Sequence, residues 1–343
     1  MKTVVFCTPH FFPDKGGVER HVLEVSRAIK NDQLQIIVIT QQTNLSQKYF
    51  EVVDGVSVHR IPKSAVLKIK LWSWIWKNKK ILTSAAVVHA HDVGWWLLPL
   101  LPFIRSKLFI TFHGWEGEYP VPVLHKLHRL LLAQVAVGTV HVGKYIQKFY
   151  WDKPTAVVYG GVNTKKIIPA SFDSTKNTIV FVGRLEKEND ILLYIDLFKK
   201  LQSRHSTLSI LWVGDGHYRA VCEKYGHVTG MISNPSDYYA DALLVCAASY
   251  LSILEALQMG KLVVALYNSP LKKYYLKLFP FSSQMICGSE ISKIISKIET
   301  AVSNPEKISA QLRKIQAEVN TEYTWKAVAD TYLQLWKLEP PFQ

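Results

Sequence analysis

The sequence predicts an α/β protein made of two parallel-sheet domains, and three observations carry that prediction. At 343 residues the chain is long enough for about two domains. Short apolar runs alternate with amphipathic stretches, and the alternation occurs once in each half. The runs are almost continuously apolar, as in TVVFCT and TIVFVG, which suits strands covered on both faces. With 48% hydrophobic and 20% charged residues the composition is that of a globular chain and excludes a disordered one.

Taken in order, residues 3–8, 35–40, 87–90, 108–112 and 156–159 read as strands. Residues 18–29 read as a helix, because Val18, His21, Val22, Val25, Ala28 and Ile29 fall on one face. A largely polar stretch at 165–177, containing Pro169, marks the join. Beyond it, strands are expected at 178–182, 208–213, 242–246 and 262–265, with helices at 191–202, 218–225 and 251–258. A last helix spans 325–336.

No apolar run reaches ~18 residues, so no membrane-spanning helix is expected. The N-terminus reads as a strand rather than a signal peptide. Cys7, Cys222, Cys246 and Cys287 are scattered, as buried thiols in a reducing cytosol would be. The chain carries a net charge of +14, unevenly spread. Residues 1–160 hold 20 basic and 10 acidic side chains, and the remainder 21 and 17. The first half therefore suits an anionic partner: nucleic acid, an acidic membrane or a phosphorylated substrate.

Several motifs sit where strands end. Gly16-Gly17 precedes the first helix, either to let backbone amides approach an anion or simply as a capped turn. His113 follows a strand in ITFHG, where it can orient a ligand hydroxyl or phosphate, or serve as a structural hydrogen-bonder. His89 and His91 in VVHAHD are adjacent candidates. Arg184, in VGRLEKE, suits a bidentate contact to a diphosphate, or belongs to a solvated charge cluster. Gly214, in WVGDG, marks a nucleotide-facing turn or a plain one. Glu255 lies about a turn into the helix that opens at SYLSILEAL and can accept ribose hydroxyls there. No Asp-x-Asp, Walker A or G-x-S-x-G is present.

Between Gly55 and His91 there is no acidic residue. Lys68, Lys70, Lys77, Lys79 and Lys80 surround Trp72, Trp74 and Trp76. This fits a segment in an anionic membrane interface, or a partly buried helix with a solvated basic face.

In their order, GGVERHV, VVHAHD, ITFHG, YGGVN, IVFVGRLEKE, LSILWVGDG and ILEALQMGKLVVA resemble glycosyltransferase family 4 over almost the whole length. That resemblance implies the GT-B fold, two Rossmann-like domains facing a central cleft, with a C-terminal helix crossing back to the first. It divides the chain into an acceptor and membrane-facing domain at 1–167, a nucleotide-sugar domain at 168–322 and a returning helix at 323–343. It also implies retaining, metal-independent transfer to a lipid-linked or other cell-envelope glycan. The donor would be a UDP- or GDP-sugar, with no cofactor and no nucleic-acid partner. The enzyme would lie in the cytoplasm, peripheral on the inner face of the membrane. By the same resemblance His113 and Arg184 are catalytic. Donor contacts fall to Gly16, Gly17, Arg184, Lys187, Asn189, Gly214, Leu251, Ser252, Ile253, Leu254 and Glu255. Two positions depart from the pattern: Asn189 stands where a lysine is usual, and Ala247 where the first of two glutamates is usual. The alternative they motivate is a catalytically degenerate GT-B subunit that binds a membrane or a partner.

Overall fold

The computed structural model describes residues 1–338 apart from 32, 66–67, 115–118, 165–168 and 233. It divides into two compact units, Met1–Val158 together with the segment from Trp325, and Tyr159–Thr324. The boundary expected between 167 and 168 lies outside the described residues.

The first unit runs β1 (Lys2–Cys7), α1 (Gly17–Ile29), β2 (Leu34–Gln41), β3 (Phe50–Val53), β4 (Val56–Ile61), α2 (Lys68–Lys77), α3 (Lys79–Thr83), β5 (Val87–His91), α4 (Leu101–Ile104), β6 (Leu108–Phe112), α5 (Val123–Val135), β7 (Gly138–Val142) and β8 (Ala156–Val158). Among the described residues these strands form one sheet in the order β3-β4-β2-β1-β5-β6-β7-β8. Only β3 is antiparallel to its neighbour. Every residue of β5 and β6 is buried, which explains why such strands read as unbroken apolar runs. The β3–β4 hairpin turns at Asp54 and Gly55, both at positive φ (51° and 74°), the geometry of a tight two-residue hairpin loop.

The second unit runs β9 (Thr178–Val182), α6 (Ile191–Arg204), β10 (Ser209–Val213), α7 (Arg219–Cys222), β11 (His227–Val228), β12 (Ala242–Ala247), α8 (Tyr250–Gln258), β13 (Val263–Leu266), α9 (Pro270–Lys277), β14 (Ile286–Gly288), α10 (Ile291–Val302) and α11 (Pro305–Glu322). Its sheet is parallel, in the order β11-β10-β9-β12-β13-β14. The helix expected at 218–225 is only Arg219–Cys222, because His227 and Val228 are drawn into pairing with Leu211 and Trp212. The last helix, α12 (Trp325–Trp336), belongs to the first unit and packs on α1.

Strand order determines where ligands can sit. In the first sheet the chain moves outward from β1 through β2 to the edge strand β3, turns back into β4, then crosses to β5 on the other side of β1. In the second it moves from β9 to β10 and β11, then returns to β12. Loops leaving the carboxyl ends of β1 and β5, or of β9 and β12, diverge and leave a crevice. The sequence motifs fall at these two places.

Candidate functional site

In the first unit, Gly16 caps α1 with extended backbone (φ −172°), and a Cβ on Gly17 would meet nothing within 4 Å. Space is therefore left at the start of the helix. Beside it stands a network of four histidines. His21 comes from α1, His89 and His91 from β5, and His113 follows β6. Trp336 Nε1 donates to His89 Nδ1 at 3.0 Å, and His89 Nε2 meets Thr111 Oγ1 at 2.8 Å. Thr111 Oγ1 is 2.7 Å from the Tyr332 hydroxyl, which is 3.0 Å from His21 Nε2.

An indole nitrogen only donates, so the direction of the whole chain follows from Trp336. His89 carries its hydrogen on Nε2 and donates to Thr111; Thr111 donates to Tyr332, and Tyr332 donates to His21. A second chain runs from His91 Nδ1 to His113 Nε2 at 2.8 Å. His91 Nε2 is buried without a partner, so the hydrogen belongs on Nδ1; the opposite tautomer would bury an orphaned N–H. His113 then keeps its own hydrogen on Nδ1, as a donor.

Burial holds His21, His89 and His91 well below the ordinary imidazole range, reinforced by their neighbouring histidines, and burial pushes His113 down to about 3. The rings are neutral near pH 7. They orient and hydrogen-bond rather than supply charge. Asp92, at positive φ, accepts the His113 backbone N–H at 2.9 Å and fixes the loop. A cavity of about 360 Å³ adjoins this loop, lined by Asp92, Trp95, Phe112, Gly114, His128, Arg129 and Leu132. Among the described residues no group of three or more His, Cys, Asp or Glu is arranged to hold a metal.

The second unit offers a different chemistry. Gly183 and Gly214 both have positive φ (151° and 154°), and a Cβ on Gly214 would lie 1.9 Å from Gly183 O. The loops after β9 and β10 thus cross with no room for a side chain at Gly214, while at Gly183 it is the positive φ that favours glycine. Arg184, the next residue, is 62% exposed and pairs with Glu188 at 2.9 Å. Lys187 is exposed on the same loop. Asn189 Nδ2 donates to Arg184 O at 2.8 Å, so its amide braces the loop.

Of the residues expected around the donor on α8, Ser252, Ile253 and Leu254 are buried and Leu251 is half-buried. Ser249 and Ser252 form a capping box. The Tyr250 amide is taken by the Tyr275 hydroxyl at 2.7 Å. The Leu251 amide is the first-turn donor without a partner among the described residues. Glu255 is buried in the second turn.

The basic tryptophan segment separates on folding. Leu71 and Ile75 turn inward. Trp72 is half-buried and donates to Trp95 O at 3.2 Å, and Trp74 is half-buried. Trp76 is exposed, under Lys79 at 4.5 Å. Lys68 lies over Trp95, and Lys70, Lys77 and Lys80 are exposed.

Sequence reasoning missed Thr111, Tyr332, Trp336 and Lys272, and left His21 as a core position only. An available signal was the i, i+4 aromatic spacing of Tyr332 and Trp336 on the last helix. It also missed Val123, Leu124, Leu127 and Leu131, which α5 leaves exposed.

The sequence pattern of Glycosyltransferase Family 4 matches residues 15–166, and that of Glycosyl transferases group 1 matches residues 176–272. The chain is a glycosyltransferase of the family 4 type. This glycosyltransferase is 24% identical to an uncharacterised glycosyltransferase of Methanocaldococcus jannaschii, over 77% of this chain and 80% of the relative. Its structure is similar to sucrose-phosphate synthase from Thermosynechococcus elongatus, with a TM-score of 0.76, 14% identity and 98% of each chain covered. It is also similar to Anabaena HepE in complex with UDP and glucose, with a TM-score of 0.74, 14% identity and 98% and 100% of the two chains covered. These likenesses identify the fold as GT-B.

Proposed function

We propose that this glycosyltransferase moves a hexose or related sugar from a UDP- or GDP-sugar to a lipid-linked or other cell-envelope glycan, with retention of configuration, at an anionic membrane surface facing the cytoplasm. The observation that carries the donor half is the placement of Arg184 at the carboxyl end of β9, next to the crevice between β9 and β12. A diphosphate leaving group needs fixed positive charge, and an exposed guanidinium together with a helix N-terminus supplies it. We assign neutral His113 to the transferred sugar as a hydrogen-bond donor. Gly16 and Gly17 are assigned to the diphosphate and acceptor, with the open space at Gly17, and Glu255 is assigned to the nucleotide ribose. HepE, which shares the fold, is described with UDP and glucose.

The membrane half draws on the exposed Lys70, Lys77, Lys79 and Lys80 beside exposed Ile69, Trp76 and Phe103, and on the apolar outer residues of α5. No helix among the described residues is long and apolar enough to cross a membrane. The second reading, a degenerate subunit, is favoured by Asn189, whose amide is spent on Arg184 O.

The deciding experiment is a panel of UDP- and GDP-sugars with purified protein and vesicles, reading donor binding, hydrolysis and the anomeric configuration of product by NMR. One donor class is expected to bind and turn over with retention. Binding without turnover supports the degenerate subunit, and no binding across the panel rejects the donor reading. Reversing Lys77, Lys79 and Lys80 to Glu is expected to weaken sedimentation with anionic vesicles a hundredfold or more, at ~1 kcal/mol per lysine. Unchanged sedimentation rejects the membrane reading.

A further inference from the structure

Lys272, on α9, is an unusual residue to find inside the second unit. It is 4% exposed. Its ammonium donates to Ala248 O at 2.5 Å and lies 4.7 Å from the centre of the Tyr275 ring. An ammonium carries three donors, and no second hydrogen bond or ion pair to it occurs among the described residues. The nearest acids do not neutralise it by contact. Glu188 pairs with Arg184, and Asp190 accepts the Asn268 amide at 3.1 Å. A cation buried on one carbonyl is costly, and methionine or leucine would fill the volume without that cost.

Its location gives the cost a use. Ala248 immediately follows β12 and precedes Ser249, the N-cap of α8. A Cβ on Gly183 would sit 3.8 Å from the Ala248 Cβ, so the loop carrying Arg184 passes close by. Arg184, Ala248 and Lys272 thus come from the ends of three adjacent strands, β9, β12 and β13, at the point where strand order reverses. Two cations and one helix N-terminus converge there, and no carboxylate lies within ion-pair distance of the buried one among the described residues. Burial pushes the Lys272 ammonium down to about 8, against the opposing pull of Asp190 and Glu188 and with a smaller push from Arg184. Glu188 and Asp190 offset part of this positive charge from a distance, but neither touches the ammonium, and a bound anion would supply the closer counter-charge.

We propose that Lys272 is the buried second charge of the diphosphate site, holding Arg184 and the first turn of α8 in a field that favours a nucleoside diphosphate over a monophosphate. The inference rests on the donor reading above. It makes Lys272 a positioning residue, acting through Ala248 and through its charge. It also explains how a chain with uncharged Asn189 on the Arg184 loop can still present two cations to a diphosphate.

The test measures the affinities of UDP, UMP, GDP and GMP for wild type, Lys272→Met, Lys272→Gln, Lys272→Arg and Arg184→Ala, with a melting curve for each. Lys272→Gln keeps a donor for Ala248 O while removing the charge. The expected result is a diphosphate affinity reduced roughly tenfold to a hundredfold in the Met and Gln variants, with monophosphate affinity nearly unchanged and the preference retained in Lys272→Arg. A folded Lys272→Gln protein with an unchanged diphosphate-to-monophosphate ratio, alongside a weakened Arg184→Ala, overturns the role of Lys272 alone. Wild-type protein that binds neither UDP nor GDP overturns the donor reading and this inference with it.

Discussion

At its switch point the first unit gathers His21, His91 and His113, with His89 behind them, while the second gathers Arg184, Lys272 and the first turn of α8. Nine of the twelve histidines lie in the first unit, and the three in the second, His205, His217 and His227, are all exposed. Both sheets leave the same kind of crevice, yet one is backed by neutral, mostly buried imidazoles and the other by the exposed Arg184 with Lys272 buried behind it. The difference teaches that topology places a site and the side chains at the strand ends decide what it can hold. Neutral donors and acceptors suit hydroxyl groups, whereas convergent cations suit phosphate.

The largest expected effect tests this contrast directly. Arg184→Ala is expected to lower kcat/KM roughly 10²–10³-fold, as removal of a fixed charge from a developing anion does. His113→Ala, which removes a neutral donor, is expected to cost less. Steady-state kinetics on both variants would break the contrast if the order were reversed.

Acid sharpens it next. The four buried histidines have folded values well below their unfolded value near 6.5, so the unfolded chain takes up protons first. The stability they confer is complete above pH ~6.5 and declines as pH falls from there toward 3. In the second unit, hydrogen bonds and nearby lysines hold Asp173, Asp241 and Glu290 below the usual carboxylate range, so their contribution is lost only below about pH 4. Amide exchange during acid titration should show the first unit opening at the higher pH, and simultaneous opening would contradict the assignment.

The smallest effect probes the relay. Tyr332→Phe removes the hydroxyl between Thr111 and His21 and is expected to cost about 1–3 kcal/mol, because both buried partners lose their bond. Denaturant unfolding measures it. A change below ~0.5 kcal/mol would mean that the relay does not order the histidines.

Much of the fold was legible because parallel strands are buried on both faces and announce themselves as apolar runs. Residues 108–112 and 178–182 coincide with β6 and β9 to the residue. The β3–β4 hairpin was equally legible from Asp54-Gly55 between valine-rich runs, yet it went unassigned. Gly214 stood out as a nucleotide-facing or plain turn; its necessity comes from a carbonyl 31 residues earlier in the chain, at Gly183. Trp72, Trp74 and Trp76 read as one set, but helical rotation leaves only Trp76 exposed.

What the sequence determined by itself is local: strand runs, helix faces, loop glycines and the order of motifs that places the chain in its family. Hydrophobic period and backbone preference act within a few residues, so they can be read in a line of letters. The tertiary structure alone decided the partners. Trp336 reaches His89 across 247 residues, Tyr332 reaches Thr111 across 221, and Lys272 arrives behind α8 from the following helix. Hydrogen bonds and charges act over a few ångströms of space, and only the folded sheet brings those groups within range.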